Sequence, residues 1–526
     1  RGSGGILRAR PARVGPSPGS SRGMDFDDLD GAEDEALGDD GPVRPLPEWR
    51  HVQLPSFDFS EMKERAARSL PGDYLGIEIP SDKDQLLQWG APWLTRAFHK
   101  SGVLPVDNEV EQLVSIKNVT GEVSGGAGLK YLMKLRYREP KPYLQETLFV
   151  KLPHVPKGSD RYYVSMMWGH DRPETIFYNW LSGYVPFRVP KLYFADISAA
   201  STNFVLITET VMFAPKGTTE FRPGDVEPAY DKYCDWELPD GGPRYYAACC
   251  RDLGKMAAYH KTGRLHPQVN EMFPMPGEIW AVPQGLPPLD AEARRMNASK
   301  ADQYIRFLSE TAAAAFPKEV TDKAWLETWK GQMMNVLDYE AEIHCFCSGA
   351  GTQSPNDYVV LTHNNLQIDN CFFHRDDANE LQVGMLDWGC LGCRPFIGAI
   401  QDGCISGAQA HVYKEHRDSF LRAAIDGYAE NGGPSLDLDR LRTMCDLQVA
   451  LWACNCIKNL TAVLKDTKSA EWAEIKDWMD PKLLRRFYVR AHCSQFKISL
   501  QLWQYLGIYD KFRAWTSAQG LPEKKV

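Results

Sequence analysis

No stretch of 18 consecutive apolar residues occurs in this 526-residue chain, so no segment reads as a helix able to span a bilayer. No run of lysine or arginine breaks the formal charge of -9, and nothing favours a nucleic-acid partner, whose binding needs a basic surface to displace counterions. The 13 cysteines lack regular spacing, which argues against a disulfide framework and for reduced thiols in a cytoplasm-like compartment. One tight pair, Cys390 and Cys393 in CLGC, invites a zinc or redox reading with Cys345 and Cys347. Spacings of C-x-C and C-x2-C match a zinc ribbon poorly, and small buried residues is the better reading. No internal repeat of any period appears.

What is present is a chain 43% hydrophobic and 25% charged, enough to bury a sizeable core in one two-lobed unit or two to three domains. Residues 1–23 hold five arginines, no acid, and much Gly, Ser and Pro. They are consistent with the remnant of an organelle-targeting peptide, a translated leader or a disordered tail, with Met24 a candidate start. Residues 25–40, DFDDLDGAEDEALGDD, carry nine acidic residues and few apolar ones, and are expected to stay disordered because burial cannot offset the entropy of ordering them.

From about residue 108 the pattern turns to strands. EVEQLVSIKNVTG runs into the glycine-rich turn GEVSGGAG, LKYLMKLRYRE alternates, and ETLFVKL follows, predicting an antiparallel meander. PETIFYNWLSG reads as a helix, with Pro173 in its first turn and Ile176, Phe177 and Trp180 on one face. VPKLYFADIS and NFVLITETV add two strands, for a five-stranded sheet with one inserted helix. After residue 245 the chain becomes mostly helical. RYYAACCRDLGKMAAYHKT is one helix, residues 321–347 another, and residues 440–466 carry a core stripe at steps of three and four. A last pair of helices spans about 480–518. Between these helices lie the strand DYVVLTH, the loop LTHNNLQIDN, and CFFH with LQVGMLDWG as a hairpin-like pair.

Phosphoryl transfer needs a backbone cradle over the phosphates, a cation on them, and carboxylate or amide ligands for magnesium. Lys151 in LFVKL is a candidate cation, and Glu174 at the start of the inserted helix is its natural partner. Gly121, Gly125, Gly126 and Gly128 would let backbone N–H groups approach an anion. Singly, each has a bland reading: a flexible turn, a solvated lysine, an acid answering a helix dipole. Their order, followed by the loop and GMLDWG, is what points to chemistry.

Residues 108–400 resemble the superfamily of aminoglycoside phosphotransferases and choline kinases. LFVKLPH, the ETIFYNWL helix, VPKLYFAD, the AAYHKT helix, the HxDxxxxN-type loop and the DWG turn occur in that order. The resemblance implies a protein-kinase-like α+β fold: a small lobe with a five-stranded antiparallel sheet and one helix, and a large, mainly helical lobe. Outside the resemblance, residues 1–45 are expected to form a disordered tail and residues 46–107 an N-terminal extension packing on the small lobe; the resemblance implies a nucleotide-binding lobe at 108–211 and a helical lobe at 212–526 with catalytic loop and acceptor pocket. The implied activity is an ATP- and Mg2+-dependent phosphotransferase acting on a small-molecule hydroxyl. Lys151 would contact the phosphates and Glu174 brace it. Thr208 and Glu209 would lie in the hinge that meets adenine, His363 would stabilise the loop, and Asn370 and Asp387 would bind magnesium.

The loop departs from the family at Asn365, where an Asp normally orients the hydroxyl and accepts its proton. Asp369 is the one carboxylate in the loop and is expected to face another way, or to cap a turn. The departure leaves a slowed kinase, a pseudokinase that binds nucleotide or metabolite without turnover, and a helical interaction protein as the alternatives. Aromatic residues from Trp388 to Tyr505 are available to an acceptor pocket, where they would hold an amine or serve as plain core.

Overall fold

The computed structural model describes residues 47–524 apart from 54, 121–127, 157–159, 163–164, 166–168 and 170. All of these belong to one compact unit, Pro42–Val526. The acidic and basic tails, and Gly121, Gly125 and Gly126, lie outside the described residues.

A helix, α1 (Lys83–Ser101), precedes a five-stranded sheet. Asp82 caps its start by accepting from the Gln85 amide at 2.9 Å, and Gly102 ends it with a left-handed φ of 76°. The strands are β1 (Val110–Asn118), β2 (Leu129–Tyr137), β3 (Thr147–Leu152), β4 (Leu192–Ser198) and β5 (Asn203–Glu209), every adjacent pair antiparallel in the order β1-β2-β3-β5-β4. Between β3 and β4 runs α2, an α-helix over Asp171–Ile176 that continues as a π-helical turn over Phe177–Leu181.

Strand alternation divides this sheet into two faces. Tyr131, Met133, Leu148, Val150, Val205 and Ile207 pack against Leu86, Trp93, Leu94, Ala97 and Phe98 of α1, forming one apolar cluster. The intervening residues Lys130, Leu132, Phe149, Lys151, Leu206 and Thr208 turn the other way and line a cavity. A two-residue period therefore separates the core of the sheet from its binding face.

The rest of the chain is mainly helical and shares a second, larger core. Among the described residues its α-helices of eight residues or more are α3 (Pro243–Lys261), α4 (Ala291–Arg306), α5 (Lys323–Leu337), α6 (Glu340–Cys347), α7 (Ala410–Glu430), α8 (Leu438–Cys456), α9 (Phe487–Tyr505) and α10 (Ile508–Ala518). Two short ribbons interrupt them: β6 (Val359–His363) pairs with β9 (Leu391–Pro395), and β7 (Cys371–Arg375) with β8 (Leu381–Met385), both antiparallel. The single helix expected over 321–347 is two: Asp338 keeps helical dihedrals, and the backbone breaks at Tyr339, with φ -109° and ψ 16°. The Asp338 carboxylate accepts two hydrogen bonds from Arg294, at 2.5 and 2.7 Å, and one from the Leu289 amide at 2.9 Å, which ties this end of α5 to α4. The segment Leu438–Asp466 is long and apolar enough to cross a membrane, but 61% of its apolar window is buried in the protein core. All 13 cysteines are free thiols.

Candidate active site

The cavity beneath the sheet has a volume of about 240 Å³ and lies between the inner face of β2, β3 and β5 and the loops around β6 to β8. Seven residues singled out from the sequence line it: Lys151, Glu174, Thr208, Glu209, Asp369, Asn370 and Asp387. Val119, Leu132, Phe149, Leu206 and Phe213 supply apolar walls.

Lys151 stands at the back, its Nζ 2.7 Å from Glu174 Oε2 and 2.9 Å from Asp387 Oδ1. Burial alone would lower the lysine, but the carboxylates of Asp387 and Glu174 overcome it and hold the ammonium charged. Burial also works against the Asp387 carboxylate, yet Lys151 and Lys130 keep it well below the usual range. Glu174, with 7% of its side chain exposed, is pushed up by burial against the pull of Lys151.

Asp387 is placed by its backbone. It sits in the left-handed region, φ 58° and ψ 66°, a conformation costly for most residues and tolerated by Asp. The next residue, Trp388, stacks on Phe177 of α2 with ring centroids 3.6 Å apart and planes 11° from parallel. One contact thus fixes the turn carrying Asp387 to the helix carrying Glu174.

His363 lies behind the loop, fully buried, with its ring 4.6 Å from Trp388. Nε2 is 2.8 Å from the Leu386 carbonyl, and the Asn365 amide donates to Nδ1 at 3.3 Å. That pattern assigns the neutral tautomer with its proton on Nε2, and burial lowers the ring's proton affinity to match. Asn370 donates from Nδ2 to the Asn365 carbonyl at 2.7 Å, leaving Oδ1 as its ligand-capable atom, and the Leu386 amide donates to the Asn370 carbonyl at 2.8 Å. Residues 363, 365, 370 and 386 form one braced loop.

Asn365 itself is not part of the cavity lining. Its Oδ1 is 3.5 Å from Nζ of Lys232, and the same ammonium is 4.0 Å from Asp369 Oδ1. Asn365 and Asp369, expected to face apart, share one lysine. Burial raises the Asp369 carboxyl, while Asp369 overcomes the cost of burial at Lys232 and keeps that lysine charged. Gly128 has a packing reason: a Cβ there would meet the Leu152 carbonyl at 2.6 Å.

Two lysines were missed by sequence reading. Lys232 belongs to a stretch without periodicity and reaches the loop only through the fold. Lys130 lies directly across the ladder from Lys151, is 4% exposed, and has no carboxylate at ion-pairing distance among the described residues. Burial lowers it, against the attraction of Asp387. The alternation of LKYLMKL carried its direction, but only the strand register puts it beside Lys151.

Among the described residues no three His, Cys, Asp or Glu side chains gather to hold a metal. Asp387 and Asn370 supply one carboxylate and one amide oxygen. That set suits Mg2+, which commonly takes one or two protein ligands and completes its shell with phosphate oxygens and water.

The fold is similar to that of solved small-molecule kinases. Choline kinase from Cryptosporidium parvum Iowa II aligns at 10% identity with a TM-score of 0.34, over 78% of this chain and 91% of that one. A choline/ethanolamine kinase family protein from Mesorhizobium loti aligns at 12% identity and 0.30, over 76% and 98%. The GDP complex of aminoglycoside 2'-phosphotransferase-IIIa aligns at 12% identity and 0.32, over 69% and 92%. No protein-family model matches the sequence, and no curated protein matches it.

Proposed function

We propose that this protein binds ATP with Mg2+ in the cavity beneath the sheet and transfers a phosphoryl group to a hydroxyl of a small molecule. The observation that carries the reading is Lys151, a charged ammonium held between Glu174 at 2.7 Å and Asp387 at 2.9 Å where the apolar cavity ends. Apolar walls suit a base, and two neighbouring lysines suit the phosphates. Asp387 and Asn370 Oδ1 would hold the magnesium ion, which supplies charge neutralisation to the phosphates. Lys151 and Lys130 orient and neutralise the phosphate chain, Glu174 keeps Lys151 in place, and His363 keeps the loop in register. The free thiols suit a reducing, cytoplasm-like compartment.

Proton removal is the weak step. Asn365 can position a hydroxyl but has no basicity, and Lys232 is a charged donor, so the proton must leave to Asp369 or to water. A second reading, in which nucleotide is held without turnover, draws on that contact of Asn365 with Lys232.

The test is thermal unfolding with ATP and magnesium together. Ligand at about 100 times its Kd adds about 2.7 kcal/mol to stability, so a clear rise in Tm is expected. The rise should need magnesium in the parent and lose that need in Asp387→Asn. An unchanged Tm with both in excess would overturn nucleotide binding and both readings with it.

A further inference from the structure

The helical part carries a second cavity, open to solvent and of about 220 Å³, that shares no lining residue with the first. Gln409, His411, Trp478, Lys497, Gln501 and Tyr505 are among its walls. Lys497, on α9, is 6% exposed. Its ammonium donates to Gln409 Oε1 at 2.6 Å and lies 4.2 Å from the centroid of the Trp478 ring.

What this lysine lacks is an anion. A buried ammonium costs several kcal/mol unless it is paired, and a neutral amide with one aromatic face answers only part of that cost. Among the described residues no carboxylate comes to ion-pairing distance of Lys497. The two that act on it through space are engaged elsewhere. Asp235 accepts from the Gln409 backbone amide at 2.8 Å, and Glu319 accepts from Gln501 Nε2 at 2.9 Å and from the Tyr505 hydroxyl at 3.1 Å. Each acid thus takes hydrogen bonds from neutral groups, with Asp235 Oδ1 left without a partner among the described residues, and neither carboxylate reaches the cation facing the cavity.

We propose that this cavity is a binding site for a small organic monocarboxylate. The carboxylate pairs with Lys497, and the apolar body of the ligand lies against Trp478 and Tyr505. A single buried cation matches a single negative charge. A phosphate group, carrying close to two, would leave its second charge unanswered beside Glu319 and Asp235. Lys414, 5.5 Å from the Tyr505 ring, adds positive potential nearby and favours entry of an anion. Burial pulls Lys497 down to about 8, against the attraction of Asp235 and Glu319, so ligand binding and protonation of this amine are linked.

Benzoate is a suitable probe, with benzamide as its uncharged counterpart and inorganic phosphate as the alternative anion. Calorimetry on the full chain at about pH 7 should show saturable benzoate binding and none for benzamide or phosphate. Benzoate affinity should fall as pH is raised from about 7 to about 9, because Lys497 gives up its proton while Asp235 and Glu319 stay ionised. Lys497→Met, which fills much the same volume, should lose the binding. Absence of benzoate binding, equal binding of benzamide, or an affinity that holds or rises to the higher pH would each overturn the proposal. These three arms use the unsubstituted protein, so they stand even if Lys497→Met fails to fold. A folded Lys497→Met that still binds benzoate would overturn it too.

Discussion

Position 365 carries an amide, and position 369 carries the loop's carboxylate, with Lys232 between them. On the proposed function, a carboxylate at 365 would supply the basicity that the amide lacks where a hydroxyl loses its proton. General-base catalysis is worth about 10²–10⁴-fold, and Lys232 at 3.5 Å would take back part by lowering the new acid's proton affinity. Asn365→Asp is therefore expected to raise the basal rate of ATP consumption by about 10²-fold, the lower end of that range. A variant that folds, binds ATP and is no faster would show that proton removal is not what limits the protein. Lys130 makes a complementary case, since its charge is buried without an ion-pair partner among the described residues. Removing an uncompensated buried charge should raise or leave unchanged the urea midpoint, while ATP binding weakens because a phosphate partner is lost. Lys130→Met losing both stability and affinity would mark that lysine as structural. The residues legible in the sequence, Lys151, Glu174, His363, Asn370 and Asp387, each stand in a short motif. Lys130 and Lys232 do not, because their place depends on strand register and on a chain segment more than 130 positions from the loop it touches.

At the scale of elements, alternation and helical period made the five strands, α2, α3 and α8 legible, because apolar residues recur in each at the spacing its backbone geometry sets. The period failed at Tyr339, where the sequence pattern runs on but the backbone leaves the helical region just after Asp338, whose carboxylate is tied to Arg294. A similar interruption sits inside α1. Gly90 has φ 54° and ψ -145°, between the turn that starts the helix and the turns that carry Trp93, Leu94, Ala97 and Phe98 into the sheet. That region of backbone space is nearly restricted to glycine and costs other residues about 1–3 kcal/mol. A Cβ at Gly90 would meet nothing within 4 Å, so the effect of a methyl there is backbone strain alone. Gly90→Ala should lower stability by about 1–3 kcal/mol in urea unfolding, with an unchanged m-value. A neutral result would show that the bend in α1 is not fixed by the sheet beneath it.

Over the whole molecule, the cavity exists because a sheet whose inner face sets Lys130 and Lys151 among apolar side chains closes on a helical part whose loops carry Asp369, Asn370 and Asp387. The strand that leads into the loop at 363–370, β6, is met by two buried imidazoles. His363 terminates it, and His260 of α3 meets its middle, accepting the Leu361 amide at Nδ1, 3.2 Å away, with Nε2 3.1 Å from Asn270 Oδ1. Protonating His260 would put a second hydrogen where Leu361 already donates. Burial holds its pKa down at about 4, against the contact with Asn270 that raises it, while Lys261 lowers it further. An unfolded histidine titrates near 6.5, so between about 6.5 and about 4 the unfolded chain binds more protons than the folded one. Stability from this site is complete above that window and is lost as pH falls through it. At about 1.4 kcal/mol per pH unit, the loss approaches 3 kcal/mol. His260→Asn keeps an acceptor for Leu361 but cannot take the proton. Urea unfolding of both proteins at a series of pH values should show the parent's advantage shrinking on acidification across that window. His363 titrates in both proteins and cancels in the difference. A pH-independent difference would mean that His260 does not couple β6, and the loop beyond it, to acid.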